Sequence, residues 1–166
     1  MSTENKPAEE LSPGQFWQVL GRRATGMTIV TTRHDDAVFG FVGLSATHVT
    51  AQPPTLLVSL DRGTTALGPI TQSGAFAVNY LANDQRQVAE GFLARGTPMA
   101  ERFSRGNWDR LETGAPVLQD ALGAFDCRVE EMIERPTAVI VIGRVVGWSL
   151  GHDRSPLVFH KGALVE

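Results

Sequence analysis

The chain has 166 residues, enough for one domain with a substantial core. Its 42% hydrophobic and 20% charged residues are an ordinary globular balance, and a net charge of −3, from 15 basic and 18 acidic residues, argues against nucleic acid as the main partner. The single cysteine, Cys127, excludes an intrachain disulfide and a cysteine-cluster metal site, and no apolar run approaches the ~20 residues that span a bilayer.

Residues 1–11 read as a disordered leader: MSTENKPAEE is polar and acidic, with no apolar signal region, so the expected location is cytoplasmic, away from the membrane. One domain is expected over residues 12–166. LSPGQF opens it with a helix start in which Ser12 is the N-cap, Pro13 takes N1 and Gln15 completes a capping box. Leu11 is placed to staple onto Phe16, and Phe16, Val19 and Leu20 form the side expected to be buried. The helix is expected to end near Arg23, where Arg22 and Arg23 set cations at its C-terminus.

From there the apolar period is two. MTIVTT (27–32), AVFGFVGL (37–44), TLLVSL (55–60), AFAVNYL (75–81), LGAFDCRVEEMIE (122–134) and AVIVIGRVVGWSL (138–150) read as strands, the last bent at Gly143 or Gly147. LVFHKG adds a short edge strand. One amphipathic helix, QRQVAEGFLA, is expected behind an Asp84 cap, with Val88, Phe92 and Leu81 on a shared face. Strands without regular helix alternation predict a mostly β fold, a small closed or nearly closed barrel with a few peripheral helices.

The common catalytic signatures are absent, and the four histidines have no ligand-like spacing, so no metal site is expected. Cys127, mid-strand, reads as a buried structural residue. Two neighbouring segments carry more information. In SLDRGTTALGPITQSG a strand ends at Leu60, a turn follows, and Thr64-Thr65 begin a short helix that Gly74 can terminate. Free N–H groups at that turn, with Gly63, Arg62 and two threonine hydroxyls, suit a phosphate; alternatively, Thr64 merely caps the helix. In GLSATHVT, Gly43 and Ala46 leave room for a flat ring against backbone, while Ser45 and Thr47 offer contacts to its edge. A phosphate cradle beside such a surface is what a flavin nucleotide needs.

The stretch ATGMTIVTTRHDDAVFGFVGLSATHVTAQPPTLLVSLDRGTT resembles the opening of the flavin reductase-like, FMN-binding split-barrel family. The resemblance continues in order through SGAFAVNYLANDQRQVAEGF, RFSRGNW, GAPVLQDALGAFDCRV, IGRVV and PLVFHKG. It implies a homodimeric split barrel of Greek-key type that binds FMN or FAD and uses NADH or NADPH as hydride donor. Carried over by position, Gly43, Leu44, Ser45 and Ala46 resemble the wall along the isoalloxazine, with Thr47 and His48 on its continuation. Ser59, Leu60 and Asp61 resemble the strand end below the flavin tail, and Arg62, Thr64 and Thr65 the phosphate cradle. Arg102 and Phe103 occupy a basic–aromatic position that often closes over the cofactor. His160 matches a histidine near the nicotinamide and is the one expected catalytic residue, or else an exposed edge-strand residue. Val42, Ala46 and His48 depart from the family pattern, and Ala138 stands where many members carry a histidine.

The implied function is an NAD(P)H:flavin oxidoreductase that supplies reduced flavin to a partner monooxygenase. Two alternatives stand beside it. One is a flavin-binding barrel without reductase activity (a carrier, sensor or storage protein), which Ala138 favours. The other is an enzyme using bound flavin on its own organic substrate, as in the related pyridoxamine-phosphate oxidase-like barrels.

Overall fold

The computed structural model describes residues 7–165, so the first six residues of the expected leader lie outside the described residues. Ala8–Glu10 form one 3₁₀ turn, and helix α1 follows as Pro13–Leu20. Its capping box is formed as the sequence predicts: the Ser12 hydroxyl accepts the Gln15 N–H at 3.2 Å, and the Gln15 carboxamide oxygen accepts the Ser12 N–H at 3.0 Å. The expected buried face is not buried. Phe16 is 49% and Val19 70% exposed, because α1 lies at the margin of the chain and no layer covers it.

The strands are β1 (Thr25–Gly26), β2 (Thr28–His34), β3 (Ala37–Val42), β4 (Thr47–Ala51), β5 (Pro54–Asp61) and β6 (Ala75–Tyr80). Then come β7 (Trp108–Arg110), β8 (Pro116–Leu118), β9 (Gly123–Glu134), β10 (Ala138–Leu150), β11 (Val158–His160) and β12 (Ala163–Val165). Helices α2 (Leu67–Ser73), α3 (Arg86–Leu93) and α4 (Met99–Ser104) fill the connections. The sequence pattern did not indicate α4, β1, β7, β8 or β12. These are pieces of two to six residues, too short to display a period.

Seven strands form one antiparallel sheet in the order β3-β2-β6-β9-β10-β5-β4. Its two edges, β3 and β4, are consecutive in the chain and joined only by residues 43–46, so the sheet must curl until its edges meet. They meet without pairing, which makes the fold a split barrel. Where the β4–β5 ladder has stopped at Thr47–Leu57, the Ser45 hydroxyl takes over. It accepts the Ser59 N–H at 2.9 Å and donates to the Ser59 carbonyl at 3.0 Å.

Alternation along β2 feeds two cores. Val30 points into the barrel with Val58, Leu60, Phe76, Val78 and Val141, whereas Ile29 joins Met27, Leu81, Val88, Phe92 and Phe103 under α3 and α4. α3 starts at Arg86 behind a 3₁₀ turn and has no side-chain cap. Asp84, the expected cap, instead pairs with Arg154 at 2.6 Å. The β9–β10 hairpin is irregular at both expected glycines, with shifts at Ile142/Gly143 and Val145/Gly147. At Gly143 a Cβ would sit 2.5 Å from the Phe76 ring, so the barrel closes over that position only with glycine.

Asn79 is fully buried and ties the small β7–β8 sheet to the barrel: its amide nitrogen donates to the Ile29 carbonyl at 3.1 Å, and its oxygen accepts the Leu118 N–H at 2.8 Å. Asn79→Ala would leave the Leu118 N–H unpaired in the interior, the Ile29 carbonyl keeping its place in the β2–β6 ladder, and urea denaturation should show a loss of about 1–3 kcal/mol.

Candidate functional site: a cleft along the barrel seam

A cleft of about 700 Å³ opens where the sheet edges meet. One lip is Phe41 and Val42 of β3 with Leu44 and Ser45 of the turn; the other is Ser59, Leu60 and Asp61 of β5, continued by Thr64. Thr137 and Ala138 reach it from the β9–β10 hairpin because Ala138 pairs with Asp61 in the ladder. α1 covers one side with Phe16, Trp17 and Leu20, and β11 with its turn contributes Phe159, Lys161 and Gly162.

The walls are aromatic and aliphatic, set with hydroxyls from Thr25, Ser45, Ser59, Thr64 and Thr137. The Ser45 hydroxyl is spent on Ser59. Those of Thr25, Ser59, Thr64 and Thr137 have no hydrogen-bond partner among the described residues and are free to meet a ligand. The turn at one end is similarly open. Thr64 N–H donates to the Asp61 carbonyl at 2.9 Å and Leu67 N–H to the Thr64 carbonyl at 3.0 Å, while the Thr65 and Ala66 amides meet no carbonyl among the described residues. α2 begins at Leu67 without a side-chain cap, so capping does not account for Thr64. Its expected end is observed: Gly74 adopts φ of +66° as the C-cap.

Of the residues singled out in the sequence, Leu44, Ser45, Ser59, Leu60, Asp61 and Thr64 line this cleft together. Others do not. Gly43 is buried and its missing Cβ faces Val30, which would lie 2.4 Å away, so its smallness serves packing of the turn and not a ring in the cleft. Ala46 packs on the barrel core, and Thr47, His48 and Thr65 are exposed beside the cleft. Arg62 turns away from the cradle: it pairs with Glu134 at 3.1 Å and donates to the Arg135 carbonyl at 3.0 Å, fastening the turn to the β9–β10 hairpin. Arg102 is occupied by the carbonyls of Thr97, Phe92 and Ala94, and Phe103 is buried between Phe92 and Trp108. Both therefore belong to the second core. His160 points its Nε2 at the Arg22 carbonyl, 3.2 Å away, and its neighbours Phe159 and Lys161 face the cleft instead.

The contributions of Thr25, Phe41, Thr137 and Phe159 were not apparent from the sequence. They reach the cleft through strand pairing and barrel closure, which no local pattern encodes. Phe16 and Leu20 carried a signal, an apolar helix face, but it pointed to a core, and Trp17 lay outside that face.

The cleft holds one carboxylate, Asp61, and two cations, Arg23 and Lys161, with no acid–base pair among the described residues. Nor does any group of three metal-ligating side chains occur among them. Cys127 lies in the barrel core, where burial, helped by the neighbouring Asp126 charge, pushes its thiol up to about 12. It stays protonated and inert. Burial likewise raises the Tyr80 phenol. No helix among the described residues is long and apolar enough to cross a membrane.

A split antiparallel barrel with an aromatic, hydroxyl-set cleft on its seam has the form of a barrel that binds a cofactor. The chain belongs to the flavin reductase like domain family, which matches residues 20–166. It is 36% identical over 152 residues to the FMN reductase (NADH) RutF of Ancylobacter novellus, covering 92% of this chain and 83% of that protein. It is 31% identical over 155 residues to HsaB, the reductase subunit of a flavin-dependent monooxygenase in Rhodococcus jostii, covering 93% of this chain and 78% of that one. Among solved structures, BorF, the flavin reductase component of a bacterial two-component tryptophan halogenase, superimposes with a TM-score of 0.85 at 29% identity, over 93% of this chain and 97% of that one.

Proposed function

We propose that the chain is an NAD(P)H:flavin oxidoreductase, passing a hydride from NADH or NADPH to FMN or FAD, and that the reduced flavin serves a partner monooxygenase. The observation that carries this reading is the seam cleft. It combines largely apolar walls around a volume of about 700 Å³ with a turn at one end that leaves the exposed Thr65 N–H without a carbonyl partner among the described residues, which matches a stacked ring system with a phosphate tail. The relatives named for FMN and NADH, and for monooxygenase and halogenase systems, support it. A cytoplasmic location, where reduced nicotinamide is available, fits the same reading.

Bound flavin supplies the hydride-accepting chemistry. The protein's part would be to bind and orient the two ring systems and to keep water out. Phe41, Leu44, Phe159, Trp17 and Leu20 form the water-excluding walls. Ser59 and Thr64 would offer hydroxyls to polar edges, and the exposed Thr65 amide would meet a phosphate. Arg62 serves by fixing that turn, through Glu134, at the correct height. Gly43 and Ala46 shape the turn from behind. His160 is a positioning residue: through the Arg22 carbonyl it sets the end of α1, and with it the Trp17 wall.

The family pattern of homodimers finds support in the apolar surface that this chain leaves bare. Trp148 is 66% and Leu150 79% exposed at the end of β10, besides the α1 face. We place a second copy against the β10 end.

One observation favours the second reading, a flavin-binding barrel without reductase activity: Ala138, which stands where many family members carry histidine, forms part of the cleft wall. Absorbance at 340 nm separates the two. Mixed with NADH or NADPH and with FMN or FAD, the protein is expected to oxidise nucleotide only when flavin is present. Flavin binding without any oxidation would establish the carrier reading instead.

Thr64→Ala combined with Thr65→Ala should weaken flavin affinity by at least ~1 kcal/mol, about fivefold, in a fluorescence titration; unchanged affinity would show that the tail lies elsewhere. Sedimentation velocity should give a dimer for the native chain, and Trp148→Glu with Leu150→Glu should shift it to monomer.

A further inference from the structure

The cleft carries one carboxylate, and it stands at the turn that would meet a phosphate. Asp61 ends β5 and is the first residue of the tight turn Asp61–Thr64, which the Thr64 N–H closes on the Asp61 carbonyl at 2.9 Å. Aspartate is favoured at the first place of such a turn because its carboxylate can accept the amide two residues on. That would be reason enough for Asp61, but the structure does not use it so. The carboxylate takes no bond from the Gly63 N–H, and among the described residues it has no hydrogen-bond or ion-pair partner. Asp61 is exposed and lines the seam cleft beside Leu60 and Thr64.

We propose that Asp61 sets which flavin this cleft prefers. Its charge disfavours FMN, whose phosphate monoester is doubly charged, relative to riboflavin, which has no phosphate, and to FAD, whose flavin-side phosphate is esterified twice and carries one charge. The inference rests on the flavin reading above, with the phosphate end at the Thr65 amide, and deepens it by naming the group that ranks the three flavins.

Neighbouring charges do not cancel Asp61. Arg62, the cation of the same turn, is drawn off to Glu134 at 3.1 Å and to the Arg135 carbonyl at 3.0 Å, so this pair adds no net charge beside the turn. Arg135 is exposed on the β9–β10 hairpin and is not part of the cleft wall. The cations that do border the cleft, Arg23 and Lys161, come from the segment after α1 and from the β11–β12 turn. Neither pairs with Asp61 among the described residues. Across the ladder Asp61 is matched by Ala138, which offers neither a charge nor a side-chain hydrogen bond.

The spacing makes the charge count. The first and last residues of a tight turn have Cα atoms within ~7 Å of each other, and Thr65 follows directly. That lies inside the ~10 Å over which salt at about 0.1 M screens exposed charges. A phosphate monoester loses its second proton near pH ~6 and is mostly a dianion at neutral pH. FMN thus brings about two charges to the turn, the near phosphate of FAD one, and riboflavin none. Ring and ribityl chain are common to all three, so any contact they make is common as well, and charge alone separates the ligands at this end.

Fluorescence titration with riboflavin, FMN and FAD is the test. Asp61→Asn should raise the affinity for FMN relative to that for riboflavin about threefold or more, with FAD intermediate. Asp61→Ala, which removes the charge without adding a donor, should shift the ratio in the same direction. Asp61→Glu keeps the charge and should retain the native ratio. A ratio left unmoved by Asn and Ala overturns the proposal, even where the absolute affinities change: an equal loss for all three flavins would make Asp61 an acceptor for a ribityl hydroxyl. A fall in FMN affinity relative to riboflavin overturns it too. Titration of the native chain tests the underlying reading separately. If none of the three flavins binds, both fail; if any binds but the ratio does not move, the flavin reading stands and only the role of Asp61 is lost.

Discussion

The bridge from Ser45 to Ser59 is the contact on which the rest of the site depends. A strand whose neighbour has ended presents an N–H and a carbonyl that invite another strand to pair with it. One hydroxyl satisfies both, at 2.9 and 3.0 Å. β4 is therefore free to stop early, and the seam stays open without exposing an unsatisfied ladder. Phe41, Val42 and Leu44 then stand on one lip and Ser59, Leu60 and Asp61 on the other, facing a gap that β4 would have filled had it continued.

The two sides of that gap are held very differently. The barrel side rests on two cores that share β2, locked by Gly43 against Val30, Gly143 against Phe76 and Asn79 across to β8. The other side is α1, whose residues are all exposed and whose C-terminal end is tied to the β11–β12 turn by Gly21 and Arg22. A helix with so few buried contacts belongs to the low-stability end of a structure. Rigid wall and hung wall together suit a cleft that must admit a large planar ligand and then exclude water.

Most of the barrel was legible in the sequence because its strands are long and alternate, and because β2 through β6 obey one period. The α1 cap was legible to the atom, since Ser12, Pro13 and Gln15 each have a local reason to be where they are. The site was legible only where it follows the chain: Leu44, Ser45, Ser59, Leu60, Asp61 and Thr64 are neighbours along two adjoining segments. Thr137, Ala138 and Phe159 enter through ladder register and closure, which a local pattern does not contain. Polar residues were misassigned for a related reason. Arg62 and Arg102 have the chemistry to bind phosphate, but each finds carbonyls or a carboxylate of its own chain first. α1 was misassigned in the opposite sense: its apolar face is genuine, but it borders the cleft and solvent and not a core.

The interior explains why no catalytic dyad was visible. Cys127 is held neutral by burial, with its thiol at about 12. Asp126, fully buried beside it, is satisfied by the Thr113 N–H at 2.7 Å and the Thr113 hydroxyl at 2.5 Å, and so serves to anchor the loop before β8. Thr31 and Thr32 give their hydroxyls to the carbonyls of Pro116 and Ala75. Each of these reactive or polar groups in the barrel is either kept protonated or paired within the fold. Among the described residues, the seam itself carries four hydroxyls and the exposed Thr65 amide without partners. Those are groups that recognise and orient, none of which supplies a nucleophile or a proton relay. A protein built in this way contributes geometry and dryness, and the redox chemistry must come from what the cleft binds.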